Sequence, residues 1–250
     1  MVPPDEPRLQ RLRANLAALR ARVDAARARG LAAAGQVDLL VVSKSAPTAW
    51  YPLLAAAGVT EVAENRVQLV EERRPLGPAG WRWHLVGHLQ RNKAVRAVAL
   101  FEVFHALDSV ALAQQIARVR AGNPRPWPVY IQVNAAHDPA KGGIDPSEVR
   151  TVVKALADIP QIEPLGFMTL GRLGAGESEA RAAFRTLREV RDDCQREAWL
   201  RAPAPGLSMG MSDDFEWAVE EGATVVRVGS AVFDGLAGLD AGSRQPGAPA

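Results

Sequence analysis

VDLLVV (residues 37–42) is followed at once by Ser43 and Lys44. Apart from Asp38, the run is apolar and rich in β-branched residues, with no alternation of polar and apolar side chains. This pattern is typical of a strand buried on both faces, as in a parallel sheet covered by helices. The segment therefore predicts the first strand of an α/β fold, with polar residues at its carboxyl end.

Strand-like and helix-like segments alternate along the rest of the chain. The strand-like segments are 59–63, 81–87, 100–107, 128–134, 162–170, 206–210 and 223–229. The helical segments are 48–57, 65–73, 90–98, 109–120, 146–157, 177–197 and 212–221, and a short eighth helix is predicted near residue 230. Regular alternation predicts parallel strands joined by helical crossovers. Eight strands in about 200 residues favour a single (β/α)8 TIM barrel.

An amphipathic helix is predicted over residues 8–29, ahead of the first strand. Its apolar residues recur at spacings of three and four, and Gly30 and Gly35 end it. An open doubly wound sheet is the alternative architecture. It requires an early glycine-rich phosphate turn, which is absent, and GRLGAG (171–176) lacks the required spacing. A closed barrel with an additional N-terminal helix is therefore preferred.

The composition is that of an ordinary globular protein of 250 residues, 48% hydrophobic and 23% charged. The single cysteine, Cys194, excludes a disulfide framework and a cysteine-based zinc site. A formal charge of +2, with arginines interspersed among acids, predicts no nucleic-acid surface. No apolar run reaches the roughly 18 residues of a membrane span, so we expect no membrane association and a cytoplasmic location. A monomer is expected, because nothing in the sequence calls for a larger assembly.

One domain is predicted over residues 1–235, because no linker divides the chain. Residues 236–250 are rich in Gly, Ala and Pro, which predicts a disordered C-terminal tail.

Lys44 is one of only four lysines in the chain, and it stands at the end of the first predicted strand. In a barrel of this type, functional residues collect at the carboxyl ends of the strands. If the neighbouring strands desolvate its stem, its pKa falls and the neutral amine can attack a carbonyl to form a Schiff base. The alternative is an ordinary lysine that reaches out of the strand to pair with an acid.

A phosphate-binding site is predicted beside Lys44. The first and eighth strands are neighbours in a closed barrel, which places Arg227 next to Lys44, and the loops after strands seven and eight commonly bind phosphate in this fold. Ser208, Gly229 and Ser230 occupy those strand ends, and backbone N–H groups at a helix N-terminus would add to the hydroxyls.

A phosphate site beside a reactive lysine suggests pyridoxal 5'-phosphate (PLP). Arg227 would then face the pyridine nitrogen and, because a guanidinium keeps its proton, would leave the ring a weak electron sink. The alternatives are a carboxylate partner for Arg227 and a turn-capping role for Ser208.

The same segments carry a resemblance to the YggS/PROSC family of pyridoxal phosphate homeostasis proteins. It runs in order through VVSKSAP (41–47), VAENRVQ (62–68), WHLVGHLQRNK (83–93), HALDS (105–109), IQVNAAHDPAKGGI (131–144), GFMTL (166–170) and LSMGMSDDFEWAVEEGATVVRVGSAVFDG (207–235). The match extends from about residue 8 to residue 235, and the last block is the most specific.

The resemblance implies a barrel of the alanine-racemase N-terminal-domain type (PLP fold type III), with PLP held as a Schiff base on Lys44. It further implies that Ser208, Gly229 and Ser230 hold the phosphate, that Arg227 contacts the ring nitrogen, that Asn65 lies on the ring-hydroxyl side, and that Met168, Met209 and Gly210 line the pocket.

Five positions depart from the family's usual residues. Ala63 replaces glycine, Arg66 tyrosine, His88 proline, Gly143 serine and Ser230 threonine. Ser230 keeps a hydroxyl, so phosphate binding is little affected, whereas Ala63 and Arg66 alter the surroundings of Asn65.

We expect a PLP carrier or regulator without robust turnover, with PLP-dependent apo-enzymes as recipients. A two-base racemase needs an acid–base group on each face of the substrate carbon, and related racemases take one base from a C-terminal β-domain that this sequence lacks. Its only tyrosines, Tyr51 and Tyr130, occupy no obvious opposing position. The alternatives are a PLP-dependent racemase or decarboxylase and a cofactor-free Schiff-base aldolase.

No metal site is predicted. His84 and His88 are four residues apart, but their segment is predicted as strand and loop with Gly87 between them, rather than as a helix. His105 and Asp108 are interpreted as hydrogen-bonding residues at a strand end rather than as catalysts.

Overall fold

Eight strands in the computed structural model pair side by side in chain order, and β8 pairs back with β1 to close a barrel. The structure describes residues 5–31 and 35–239. The strands are β1 (Asp38–Val42), β2 (Glu61–Glu64), β3 (Arg82–Leu85), β4 (Val103–Leu107), β5 (Trp127–Gln132), β6 (Ile162–Met168), β7 (Gly206–Ser208) and β8 (Val225–Val228). All eight pairings are parallel. The predicted closed barrel is confirmed, and the open sheet is excluded.

The helices surround the barrel, each crossover running from one strand to the next. They are α1 (Glu6–Arg29), α2 (Tyr51–Ala56), α3 (Val67–Arg73), α4 (Ala94–Leu100), α5 (Val110–Val119), α6 (Val149–Leu156), α7 (Glu177–Arg196) and α8 (Phe215–Glu220). The predicted eighth crossover helix near residue 230 is instead a three-residue 3-10 turn, Ser230–Val232.

The additional N-terminal helix, α1, occupies the place that a helix after β8 would take, because it packs against both α2 and α8. The Asp5 side chain caps its start, and its buried face consists of Leu9, Leu12, Leu16, Leu19, Val23 and Ala26. The Asn15 amide donates to the carbonyls of Val232 and Asp234, at 3.1 and 2.9 Å. Helix α1 therefore fixes the segment that follows β8.

The carboxyl ends of the strands meet at one edge of the barrel. Arg227 of β8 is in register with Leu40 of β1, and a Cβ added at Gly229 would lie 3.2 Å from the Val42 carbonyl oxygen. Lys44 follows two residues after Val42. Closure therefore brings the ends of β1 and β8 together, as expected from the sequence.

The chain after β8 is packed further than the sequence suggests. Leu236, the first residue of the predicted tail, is fully buried in the core, so the domain extends past residue 235. The rest of that prediction, from residue 240 onward, lies outside the described residues. Within 5–31 and 35–239, no helix is both long and apolar enough to cross a membrane.

Gly166 and Gly206 permit the close pairing of β6 with β7. A Cβ added at Gly166 would lie 1.9 Å from the Gly206 carbonyl oxygen, a distance that forces the strands apart. We expect Gly166→Ala to lower the free energy of unfolding by about 1–3 kcal/mol, the usual cost of overpacking. Urea unfolding measures the change. The control is Gly35→Ala, where an added Cβ meets nothing within 4 Å; equal stability of the two variants would contradict the pairing.

Candidate functional site

Lys44 lies at the predicted edge of the barrel, in the turn that follows β1, but its side chain is exposed. The expectation that neighbouring strands desolvate it is wrong. The chain leaves the barrel immediately after Ser43, whose carbonyl accepts a hydrogen bond from the Ala46 amide at 2.9 Å. The turn lifts the lysine above the strand ends and leaves its amine accessible to a ligand.

A buried ion pair holds the turn that carries Lys44. Glu64, at the end of β2, is fully buried, and its Oε1 accepts from Arg73 Nη1 at 2.8 Å and from Ser43 Oγ at 2.9 Å. The same Arg73 nitrogen donates to the carbonyls of Ser43 and Lys44, at 3.1 and 3.4 Å. The pair therefore fixes the backbone from which Lys44 projects.

Arg227 is buried inside the barrel, on β8. Its Nη1 donates to Ser208 Oγ at 2.7 Å and its Nη2 to the Thr169 carbonyl at 2.8 Å. Both acceptors are neutral oxygens, unlike the carboxylate partner considered from the sequence. Burial lowers the pKa of Arg227 to about 10, so the guanidinium remains a cation at neutral pH.

Ser208 points into the barrel, and its predicted contact with phosphate stays a prediction. Its side chain is fully buried and lies within 2.9 Å of His105 Nδ1, on the opposite side of the barrel. Ser230 instead meets Ser212, in the loop after β7, with 2.9 Å between the two hydroxyl oxygens. Ser212 is the functional candidate that sequence reasoning missed, although it follows Ser208 by four residues in the same strand end.

The expected pocket-lining residues differ in accessibility. Met168 and Met209 are fully buried, so neither offers exposed surface to a ligand. Met209 follows the inward-facing Ser208 and therefore faces the helices, because successive strand residues point to opposite sides. Gly210 has a φ of +93° and accepts a hydrogen bond from the Arg227 amide at 3.0 Å. Asn65 is half-buried at the end of β2.

The histidines do not gather into a metal centre. His84 Nδ1 lies 2.9 Å from His105 Nε2 inside the barrel, whereas His88 is exposed and lies 3.2 Å from Asp108. In the part of the chain that the structure describes, no group of three or more His, Cys, Asp or Glu side chains is placed to hold a metal ion.

Two of the residues that depart from the family pattern, Ala63 and Arg66, flank Asn65 along the chain. Ala63 is buried in β2, in register with His84 of β3. Arg66 is exposed and precedes the first turn of α3. The arginine therefore faces solvent at the edge of the site.

A cavity of about 660 Å³ lies at the opposite end of the barrel, where β5 to β8 begin. Its walls are mostly prolines and aliphatic side chains, with Glu163, Arg201 and Tyr130 among the polar residues. It contains neither a lysine nor a buried cation. The side chains able to react with or bind a charged ligand, Lys44 and Arg227, therefore lie at the carboxyl edge and not in this cavity.

Residues 8–236 match the model of the alanine racemase N-terminal domain. The chain belongs to this family. Within it, the similar curated proteins are pyridoxal phosphate homeostasis proteins. That of Aquifex aeolicus is 36% identical, over 78% of this chain and 85% of its own length. That of Pseudomonas aeruginosa is 34% identical, over 94% and 97%, and that of Homo sapiens is 34% identical, over 79% and 76%. The resemblance predicted from the sequence is confirmed.

Solved structures of the family show the same barrel. PipY of Synechococcus elongatus, in a structure with PLP bound, is 34% identical and superimposes with a TM-score of 0.77, over 89% of this chain and 99% of its own. Alanine racemase from Corynebacterium glutamicum superimposes with a TM-score of 0.66 at 18% identity, over 90% of this chain and 61% of that enzyme. The second likeness concerns the fold alone.

The buried His105 makes stability depend on pH. Burial, His84 and the Arg227 charge hold the pKa of His105 well below 6.5, whereas the unfolded chain takes up this proton near 6.5. The free energy of unfolding should therefore fall as the pH drops below 6.5, by up to about 1.4 kcal/mol per pH unit. Urea unfolding at pH 7.5 and 5.5 measures this loss. His105→Gln should reduce it and His88→Gln should not; an equal loss in both would contradict a neutral buried His105.

Proposed function

We propose that this protein binds pyridoxal 5'-phosphate and serves vitamin B6 homeostasis as a carrier or regulator without robust turnover. The observation that carries the proposal is one arrangement at the carboxyl edge of the barrel. An accessible amine at Lys44, the buried cation of Arg227 and the hydroxyl pair of Ser212 and Ser230 occur together there. They match the aldehyde, the ring nitrogen and the phosphate of PLP.

The phosphate is assigned to the hydroxyls of Ser212 and Ser230 rather than to Ser208. Ser212 and Ser230 now share one hydrogen bond of 2.9 Å, and each hydroxyl can donate to a phosphate oxygen instead. The 3-10 turn that starts at Ser230 has only three residues, so the hydroxyls and the adjoining Gly229 backbone, not a helix dipole, are proposed to bind the anion. Ser208 is left to orient Arg227.

Arg227 determines which use of the cofactor the site favours. When bound, PLP supplies an aldehyde and an electron-withdrawing ring. Arg227 keeps its proton, because its pKa of about 10 lies far above neutral pH. A donor that retains its proton leaves the ring nitrogen unprotonated, which weakens electron withdrawal. The site therefore favours holding PLP through a Schiff base on Lys44, with Asn65 near the ring.

The non-catalytic part of the proposal is supported by the tyrosines. Tyr51 and Tyr130 are both buried, and burial raises the pKa of Tyr130 to about 12. Neither can serve as an exposed base opposite Lys44. The names of the similar curated proteins agree with this role. The expected apo-enzyme recipients, the cytoplasmic location and the monomeric state stay predictions.

Lys44→Ala should abolish the covalent complex with PLP. The wild-type protein mixed with PLP should turn yellow, and borohydride reduction followed by peptide mass spectrometry should place the adduct on Lys44. Lys154→Ala, on α6, is the matched control and should retain the adduct. A wild-type protein that takes up no PLP, or an adduct unchanged in Lys44→Ala, would contradict the proposal.

The alternative, a PLP-dependent amino-acid racemase or decarboxylase, is favoured by the shared alanine-racemase barrel. Incubation with each common L-amino acid, followed by chiral and mass analysis, tests it in the same samples. Turnover that depends on Lys44 would establish the enzyme and remove the non-catalytic part of the proposal.

Ser212→Ala and Ser230→Ala should each weaken PLP binding by about tenfold, as expected for loss of a hydrogen bond to a charged group. Their affinity for pyridoxal, which lacks the phosphate, should be little changed. Ser178→Ala, on the exposed face of α7, is the control. Ser208→Ala should weaken both ligands alike; a loss confined to PLP would return the phosphate role to Ser208.

A further inference from the structure

Five side chains form a continuous chain of polar contacts through the interior of the barrel. His84 Nε2 lies 3.2 Å from Glu61 Oε2, and His84 Nδ1 lies 2.9 Å from His105 Nε2. His105 Nδ1 lies 2.9 Å from Ser208 Oγ, which accepts from Arg227 Nη1 at 2.7 Å. The contact between His105 of β4 and Ser208 of β7 crosses the barrel. The chain therefore links the start of β2 to the predicted cofactor site.

The direction of the chain follows from the donors available. A guanidinium has donors only, so Ser208 accepts from Arg227 and can give its own proton to His105 Nδ1. His105 is neutral because burial holds its pKa low, so its proton lies on Nε2 and points to His84 Nδ1. His84 then carries its proton on Nε2, towards the Glu61 carboxylate.

Reversing the hydrogen bonds between Ser208, the two histidines and Glu61 is unfavourable at both ends of the chain. It would leave the hydroxyl proton of Ser208 without an acceptor in the chain, and it would set the lone pair of His84 Nε2 against a carboxylate. His84 Nε2 is 3.2 Å from Glu61 Oε2, but it is the one nitrogen of the two rings that makes no hydrogen bond in the structure. The distance and the negative charge of Glu61 nevertheless make this a favourable N–H to carboxylate contact, and this contact lowers the pKa of Glu61 to about 2.

We propose that Glu61 is a positioning residue for Arg227, which it does not touch. Its carboxylate selects one tautomer of each histidine, and the two rings pass that choice to Ser208 and so to the guanidinium. The consequence for PLP rests on the proposed function, whereas the tautomer order does not. In a low-dielectric interior such a chain is strengthened by each of its members, so a change at one end reaches the other.

Other titratable groups surround the Glu61 end. Asp38, Arg82 and Tyr130 line a cavity of about 150 Å³ together with Glu61 and the two histidines. Arg82 also pairs with Glu61, but it has no place in the chain itself. Arg82→Gln is therefore the matched control, since it removes a partner of Glu61 and leaves the contact with His84.

The first experiment uses the cofactor-free protein. Nitrogen-15 NMR of the imidazole rings should show the His105 proton on Nε2 and not on Nδ1, and a proton on His84 Nε2. Glu61→Gln removes the charge at the same size, and it should change the ring signals of His105, which lies beyond His84. Arg82→Gln should not change them. Signals of His105 that are the same in Glu61→Gln and in the wild type would overturn the proposal.

The second experiment measures the dissociation constant of PLP. Glu61→Gln should weaken binding by about three- to tenfold, a usual size for coupling through intermediate residues, and Arg82→Gln should leave it unchanged. Ser208→Ala already cuts the chain, so adding Glu61→Gln to it should cause no further loss. Additive losses would overturn the proposal. If the wild-type protein binds no PLP, the proposed function fails, and the NMR result alone decides the role of Glu61.

Discussion

Burial of the Arg227 guanidinium is the constraint on which the barrel interior depends. Taking a cation out of water costs on the order of several kcal/mol unless its N–H groups find acceptors. Ser208 and the Thr169 carbonyl are those acceptors. Ser208 is itself buried and bonds to His105, which bonds to His84. Each buried polar side chain needs a hydrogen-bonding partner, which is in turn a buried polar side chain. This series of contacts ends at the half-exposed Glu61 carboxylate, whose charge is opposite to that of Arg227.

Closure of the barrel brings together candidate site residues that are distant in the sequence. In an open sheet, β1 and β8 could lie at opposite edges, and Lys44 would be far from Arg227. Their pairing instead joins the turn after β1 to the loop after β8. Helix α1 contributes to the same result. It fills the place of a crossover helix after β8, so that a short turn suffices and Ser230 remains exposed beside Ser212.

The fold could be predicted from the sequence because buried parallel strands and amphipathic helices have local signatures. Lys44 and Arg227 could be placed at one edge for the same reason, since the end of a strand is a local property. The exposure of Lys44 could not be predicted, because it depends on how the turn after Ser43 leaves the barrel. The inward orientation of Ser208 could not be predicted either, because β7 has only three residues, too few to reveal which side chains face inward. The contact between His105 and Ser208 joins strands that are not neighbours and has no sequence signal at all.

The same geometry bears on whether the site holds a cofactor or turns over a substrate. Racemase-type chemistry requires acid–base groups on both faces of the reacting carbon, in a site from which water is excluded. Here Lys44 and Ser230 are exposed, and both tyrosines are committed to the core, Tyr130 by stacking on His105 with 4.5 Å between ring centroids. The buried arginine keeps its proton and donates to two neutral acceptors, the Ser208 hydroxyl and the Thr169 carbonyl. An accessible lysine above the buried, charged Arg227 is suited to taking up and releasing an aldehyde, which is the use that the proposed function assigns to the site.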